Sequence, residues 1–224
     1  MSKIIKKYIL YGASFNPPHI GHFSAITQML EDYDKVIVFP YPKKYHNGVE
    51  EKLPPMAQRM KMLEVFFADF FPQIVDRLIL NNLSQKIKLK DKVHDGVLHT
   101  IDYLNYVKEM VPDDVHLSVC LGFEDQNKER KESFYKEDEM TEKFGTFKLT
   151  EINQIQSDKL RAFFSNKKNV KTAKDEQYIR YAVGNSLAEF IFKNNLYGIQ
   201  KKKRPEINTH EGLNTVKPTL KKKF

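Results

Sequence analysis

Apolar positions recur along this chain with two different spacings, and the change of spacing marks its elements. Tyr8-Ile9-Leu10-Tyr11 is a short apolar run stopped by Gly12. Ile26, Met29, Leu30 and Tyr33 then recur at i, i+3, i+4 and i+7, the spacing of one helix face. Val36-Ile37-Val38-Phe39 follows as an unbroken apolar run closed by Pro40. Unbroken runs fit strands covered on both faces, as in parallel sheets. The chain therefore opens with a β-α-β unit.

The same succession continues downstream. Met56, Met60, Leu63 and Phe67 make a second helical stripe, and Arg77-Leu78-Ile79-Leu80 reads as a strand. Val97 to Met110 reads as a helix with Ile101, Leu104 and Val107 on one side. Val115 to Leu121 is a strand ended by Gly122. Glu124 to Glu142 is highly charged and reads as a surface helix or loop, and Phe144 to Ile152 holds a further short strand. Ser157 is placed to cap a helix, its hydroxyl accepting a first-turn N–H. Ile179, Val183, Leu187 and Ile191 predict one final helix ended near Asn194-Asn195 and Gly198. Strands alternating with helices predict a three-layer α/β fold with a mainly parallel sheet. Pro40 to Pro55, with four prolines and Gly48, is a long polar loop of the kind that binds ligands.

Composition narrows this picture. With 224 residues and 41% hydrophobic content the chain has material for one full core. No apolar run approaches the roughly 20 residues that span a bilayer. Tyr8 to Tyr11 is also too short for a signal-peptide core, so an unprocessed, soluble, cytoplasmic protein without a membrane partner is expected. The single cysteine, Cys120, excludes an internal disulfide and a cysteine-based metal cluster, and its apolar setting reads as strand packing. The formal charge is +8, but residues 201–224 hold eight Lys or Arg against two Glu, which leaves only +2 for the rest. One catalytic-sized domain over 1–199 and a basic, flexible tail over 200–224 are expected. The tail's lysine clusters suit weak electrostatic contact with nucleic acid. The nearly neutral body argues against a specific nucleic-acid partner. Oligomeric state is not legible, a homo-oligomer included.

The stretch Gly12-Ala13-Ser14-Phe15-Asn16-Pro17-Pro18-His19-Ile20-Gly21-His22 carries the chemistry. It joins the first strand to the first helix, where ligands of open α/β sheets bind. Gly12 allows close approach of a backbone to a ligand. His19 and His22 fall near the helix start, where free N–H groups and the helix dipole favour an anion. Two imidazoles there can donate to phosphate oxygens. They can also be a metal pair or surface polar residues, though no nearby Cys or acidic cluster completes a metal site. The spaced glycines of a preformed NAD site are absent.

This stretch resembles the signature of nicotinate/nicotinamide mononucleotide adenylyltransferases, and His19-Ile20-Gly21-His22 resembles the HxGH motif of the wider nucleotidyltransferase superfamily. Ile155-Gln156-Ser157-Asp158-Lys159-Leu160-Arg161 resembles that family's ISSTxIR segment, with Gln156 and Asp158 departing from it. Arg59-Met60-Lys61-Met62-Leu63, His99-Thr100-Ile101-Asp102-Tyr103-Leu104, Leu121-Gly122-Phe123-Glu124 and Tyr181 to Tyr197 resemble weaker family patterns. The resemblance covers about Lys6 to Gly198. It implies a Rossmann-like nucleotidyltransferase fold of the bacterial, nicotinate-preferring type.

What the resemblance implies for the site is specific. His19, His22 and Arg161 would be catalytic, with Gly12, Ser14, Phe15, Gly21 and Ser157 on ATP beside Arg161. Asn16, Lys43, Lys44, His46, Arg59, Thr100, Asp102, Glu124 and Phe134 would hold the mononucleotide. Asn47 stands where a lysine is common, Asp125 rivals Glu124, and Thr100 reads equally well as a helix cap. The implied reaction joins AMP from ATP to a pyridine mononucleotide, with Mg²⁺ held mainly by phosphates and no protein metal site. Phosphopantetheine or cytidylyl transfer, and nucleotide or nucleic-acid binding without turnover, are the competing expectations.

Overall fold

The computed structural model describes residues 5–42, 45–46, 49–50, 52–81, 87, 98–121, 136–150, 155–166, 169–170 and 172–201. Its centre is a five-stranded sheet of β1 (Lys6–Ala13), β2 (Lys35–Pro40), β5 (Leu78–Leu80), β6 (Val115–Leu121) and β7 (Thr146–Lys148). The order across the sheet is β5-β2-β1-β6-β7, and every pairing is parallel. Two small two-stranded sheets lie outside it: β3 (Tyr45–His46) with β4 (Val49–Glu50), and β8 (Asn169–Val170) with β9 (Gln200–Lys201).

The unbroken apolar runs divide between two cores because strand side chains alternate. Ile9 and Tyr11 of β1 and Val36 and Val38 of β2 enter one core. They pack there on α1 (Ile20–Asp32), α2 (Met56–Phe70), α5 (Ser157–Asn166), α6 (Ala173–Val183) and α7 (Asn185–Lys193). Leu10, Ile37, Phe39, Leu117, Val119 and Leu121 face the other way, onto α3 (Thr100–Met110) and α4 (Glu137–Phe144). The three layers expected from the sequence are present, and the sheet is wholly rather than mainly parallel. Cys120 is buried in strand β6, as expected. No helix among the described residues is long and apolar enough to cross a membrane.

Three local features differ from the periodicity. The buried face of α2 is Arg59, Met62, Leu63, Phe66 and Phe67, so the helix is rotated from the expected stripe and Met56 and Met60 are only half-buried. The final helix is two helices. Gly184, at φ 88°, ends α6 and begins α7, and Asp69 of α2 accepts from Ser186 N (2.7 Å) and Ser186 Oγ (2.5 Å) at the new N-terminus. A carboxylate at that position satisfies otherwise unpaired N–H groups and suits the helix dipole. Arg77 lies in a 3₁₀ turn rather than the strand. Its guanidinium donates to the carbonyls of Leu30 (2.8 Å), Tyr33 (2.7 Å) and Asp34 (3.1 Å), closing the C-terminal end of α1.

Strand order reverses between β1 and β6, so the crevice of this sheet opens at their carboxyl ends. In a parallel α/β fold every helix that follows a strand begins at that edge. The N-termini of α1, after β1, and of α5, after β7, therefore share it without any further device.

Candidate active site

The loop after β1 leads into α1 through His19, the helix N-cap. His19 Nδ1 accepts from Gly21 N (3.1 Å), and His22 Nδ1 accepts from His19 N (3.1 Å). This is a reciprocal capping box built from two imidazoles in place of the usual Ser/Thr and Glu pair. It has a chemical consequence. A ring nitrogen that accepts carries no proton, so each neutral ring bears its proton on Nε2 and presents a donor there. The rings lie 3.9 Å apart between centroids. Both histidines are buried, and desolvation pushes His19 down to about 3, with Asp158 raising and Arg161 lowering it. His19 is thus a neutral donor throughout the physiological range.

The loop itself is gripped by its carbonyl groups. Ala13 O accepts from Tyr41 N (2.9 Å) and Ser14 O from Arg59 Nη1 (3.0 Å). Asn16 O accepts from Arg161 Nη1 (2.8 Å) and Pro17 O from Ser157 Oγ (3.2 Å). Phe15, at φ 47°, turns the chain between them, and its fully buried ring packs edge-on to Tyr11 (5.7 Å) and against His22 (4.7 Å).

Ser157 and Arg161 thereby join His19 and His22 at one place, although the two segments are far apart in sequence. Ser157 is the first residue of α5 rather than its cap. Gln156 O takes the opening helical bond from Leu160 N, and the Ser157 hydroxyl donates to the β1 loop instead. Gly21 explains the close fit. A Cβ there would stand 2.8 Å from Ile155 O and 2.9 Å from His19 Cε1. Packing also requires Gly12: its missing Cβ leaves room for the rings of Phe39 and Tyr41, each 2.6 Å from that position.

Residues expected on the mononucleotide fall into three groups. Arg59 is 1% exposed and spends its guanidinium on Ser14 O, Tyr41 O (2.7 Å) and Pro54 O (3.1 Å), tying the loops after β1 and β2 to the start of α2. Asn16 is 2% exposed and is held by Tyr197 and Arg161. Thr100 opens α3 at the carboxyl edge, while His99 is the cap and Asp102 accepts from His99 N (2.8 Å), so Asp102 orients this turn. Lys43, Lys44, Asn47, Glu124, Asp125 and Phe134 lie outside the described residues, as does the side chain of His46. Tyr197 was missed by the sequence reading as a site residue. Nothing local in the sequence signals that its phenol reaches Asn16.

Among the described residues no three His, Cys, Asp or Glu side chains gather as a metal site. The donor set instead consists of two imidazoles, Arg161 and two helix N-termini, with Asp158 as the acid beside His19. It is complementary to a polyphosphate.

A sheet reversing at β1/β6, with paired histidines capping the next helix, defines a nucleotidyltransferase. The family model described as cytidylyltransferase-like matches residues 10–209, and the chain belongs to that family. A Fusobacterium nucleatum protein named probable nicotinate-nucleotide adenylyltransferase is 26% identical over 174 residues, covering 77% of this chain and 81% of the relative. Among solved structures, a Vibrio parahaemolyticus protein provisionally named nicotinate-nucleotide adenylyltransferase superposes with TM-score 0.60 at 22% identity, covering 84% of this chain and 99% of that one. Plasmodium falciparum nicotinic acid mononucleotide adenylyltransferase, complexed with NaAD, superposes with TM-score 0.58 at 18% identity, over 87% and 98%. The fold is the Rossmann-like nucleotidyltransferase fold that the family resemblance implied.

Proposed function

We propose that this chain transfers AMP from ATP to a pyridine mononucleotide, nicotinate mononucleotide foremost, and releases pyrophosphate. The observation that carries the reading is the meeting of the His19–His22 cap with Ser157 and Arg161 on one loop. The names of the Fusobacterium and Plasmodium relatives support the choice of acceptor.

The chemistry suits these residues. The attacking group is a phosphate monoester, mostly dianionic at neutral pH because its second pKa is about 6. It needs no general base, and no carboxylate dyad is required. Catalysis then rests on positioning and on charge stabilisation. The Nε2–H groups of His19 and His22 donate to the α-phosphate and its developing charge. Arg161 and the helix N-terminus at Ser157 address the β- and γ-phosphates, which leave as pyrophosphate. Mg²⁺ arrives as part of the ATP co-substrate. It would keep water and phosphate oxygens as ligands, and among the described residues no carboxylate cluster gathers to hold it. Arg59 and Asp102 act behind this layer by fixing the loops that carry it.

The test is pyrophosphate release with ATP and Mg²⁺, using nicotinate mononucleotide, nicotinamide mononucleotide and phosphopantetheine as separate acceptors. Release with a pyridine mononucleotide is expected, fastest with nicotinate. Release with phosphopantetheine alone, or with none of the three from a chain that binds ATP, refutes the acceptor.

A further inference from the structure

The phosphate loop is held from one more direction, by the end of the domain. Tyr197 Oη donates to Asn16 Oδ1 at 2.8 Å, and the same residue's carbonyl accepts from Arg161 Nη1 at 2.8 Å. Asn16 therefore joins the loop, the α5 arginine and the C-terminal turn. We propose that Tyr197 is a positioning residue for the triphosphate, fixing Asn16 so that Arg161 and the loop keep one geometry. The proposal rests on the ATP reading above, not on the choice of acceptor.

Three observations support it. First, the turn that carries Tyr197 is conformationally unfavourable: Asn195 (φ 50°) and Tyr197 (φ 58°) both lie in the left-handed region. A bulky residue there persists only where its surroundings fix it, and such residues gather at functional sites. Second, the surroundings do fix it. The ring packs on Phe164 of α5 at 5.2 Å, and the hydroxyl also meets Met62 Sδ at 3.7 Å. Phe164 lies one helical turn beyond Arg161, so ring and hydroxyl grip α5 and the loop together. Third, Asn16 is 2% exposed, so solvent does not replace the phenol when it is removed. Burial also raises the phenol's pKa, so it remains a donor at every physiological pH.

Tyr197→Phe keeps the ring and removes only the hydroxyl. The experiment measures ATP and AMP affinity by calorimetry for the wild-type chain, Tyr197→Phe, Asn16→Ala and the double variant. Arg161 is assigned to the β- and γ-phosphates, so a displaced Arg161 weakens ATP but spares AMP. Tyr197→Phe is expected to weaken ATP about fivefold, the scale of one hydrogen bond, and to change AMP by less than about twofold. The double variant is expected to match Asn16→Ala within about twofold, because both changes break one contact. Should Tyr197→Phe melt too low to assay, Asn16→Ala removes the same contact from its other side and gives the same selective loss. Equal weakening of ATP and AMP, no weakening, or additive effects overturn the proposal. A wild-type chain that binds ATP but spares every pyridine acceptor defeats the acceptor reading only, and the ATP/AMP ratio still decides Tyr197. A wild-type chain that binds no ATP overturns both.

Discussion

Gly21→Ala sets two known effects against each other, so its sign is informative. Gly21 is the second residue of α1. In an unobstructed helix, replacing Gly by Ala stabilises by roughly 0.5–1 kcal/mol. Here the new Cβ would stand 2.8 Å from Ile155 O and 2.9 Å from His19 Cε1. Unstrained carbon–oxygen contacts lie near 3.3–3.6 Å, so relief needs a shift of about half an ångström. One neighbour is backbone, and the other is a ring held by its own hydrogen bond to Gly21 N. Overpacking of this kind costs about 1–3 kcal/mol. The net expectation is destabilisation by about 1 kcal/mol, or roughly 2–4 °C of melting temperature at this chain length. The shift separates the histidine cap from the Ser157–Arg161 segment. Because misplacement by about 1 Å can cost roughly 10²-fold, turnover per folded molecule should fall about tenfold or more. Thermal melts and pyrophosphate-release kinetics on the same sample measure both. A melting temperature above wild type with unchanged turnover would refute the close approach of α5 to α1.

Three further outcomes are expected. His22→Ala, with folding unchanged by circular dichroism, should lower turnover by about 10²-fold or more, the scale of one lost transition-state donor; near-normal turnover sinks its role. His19 carries a sign-definite pH effect. Its folded pKa of about 3 lies below the ordinary 6.5, so the unfolded chain takes up the proton first and acid favours unfolding. Stability is undiminished above about pH 6.5 and falls as pH drops towards 3, by about 2 kcal/mol at pH 5. Urea midpoints at pH 7 and pH 5 should show this loss, and His19→Asn, which keeps a capping oxygen, should lose about that much of the pH dependence. Arg77→Gln frees three carbonyls at the end of α1 and should destabilise by about 1–3 kcal/mol in urea titrations. It should leave turnover per folded molecule unaltered, and a selective loss of activity would contradict its structural role.

The chemistry-bearing residues were legible because their local contexts announce them. A histidine pair just past a strand with a glycine between them can be placed from pattern, whereas Ser157 and Arg161 at the head of a second helix are singled out by the family resemblance. Their meeting also follows from the pattern, since parallel strands bring successive helix N-termini to one edge. The roles of Arg59 and Asn16 were not legible. Both read as ligand-facing polar residues, but Arg59 spends its guanidinium on loop carbonyls, and Asn16 accepts from Tyr197 at its amide oxygen and from Arg161 at its backbone carbonyl. The break at Gly184 was hidden for a similar reason. The apolar spacing runs through it unaltered, while the cause is Asp69 on α2, which caps α7 from outside.

The sequence by itself determined the α/β class, the strands and helices, the two-face burial of the sheet and the position of the histidine cap. These depend on spacing over a few residues, which side-chain alternation and helix periodicity translate directly into geometry. Only the tertiary structure decided which groups are spent on the protein itself. The rotation of α2, the spending of the Arg59 guanidinium on loop carbonyls, the grip on Asn16 and the reach of Tyr197 across the domain are all set by contacts between distant segments. Such contacts leave no periodic trace in a single chain, because a buried polar group is satisfied by whichever partner the fold brings within hydrogen-bond reach.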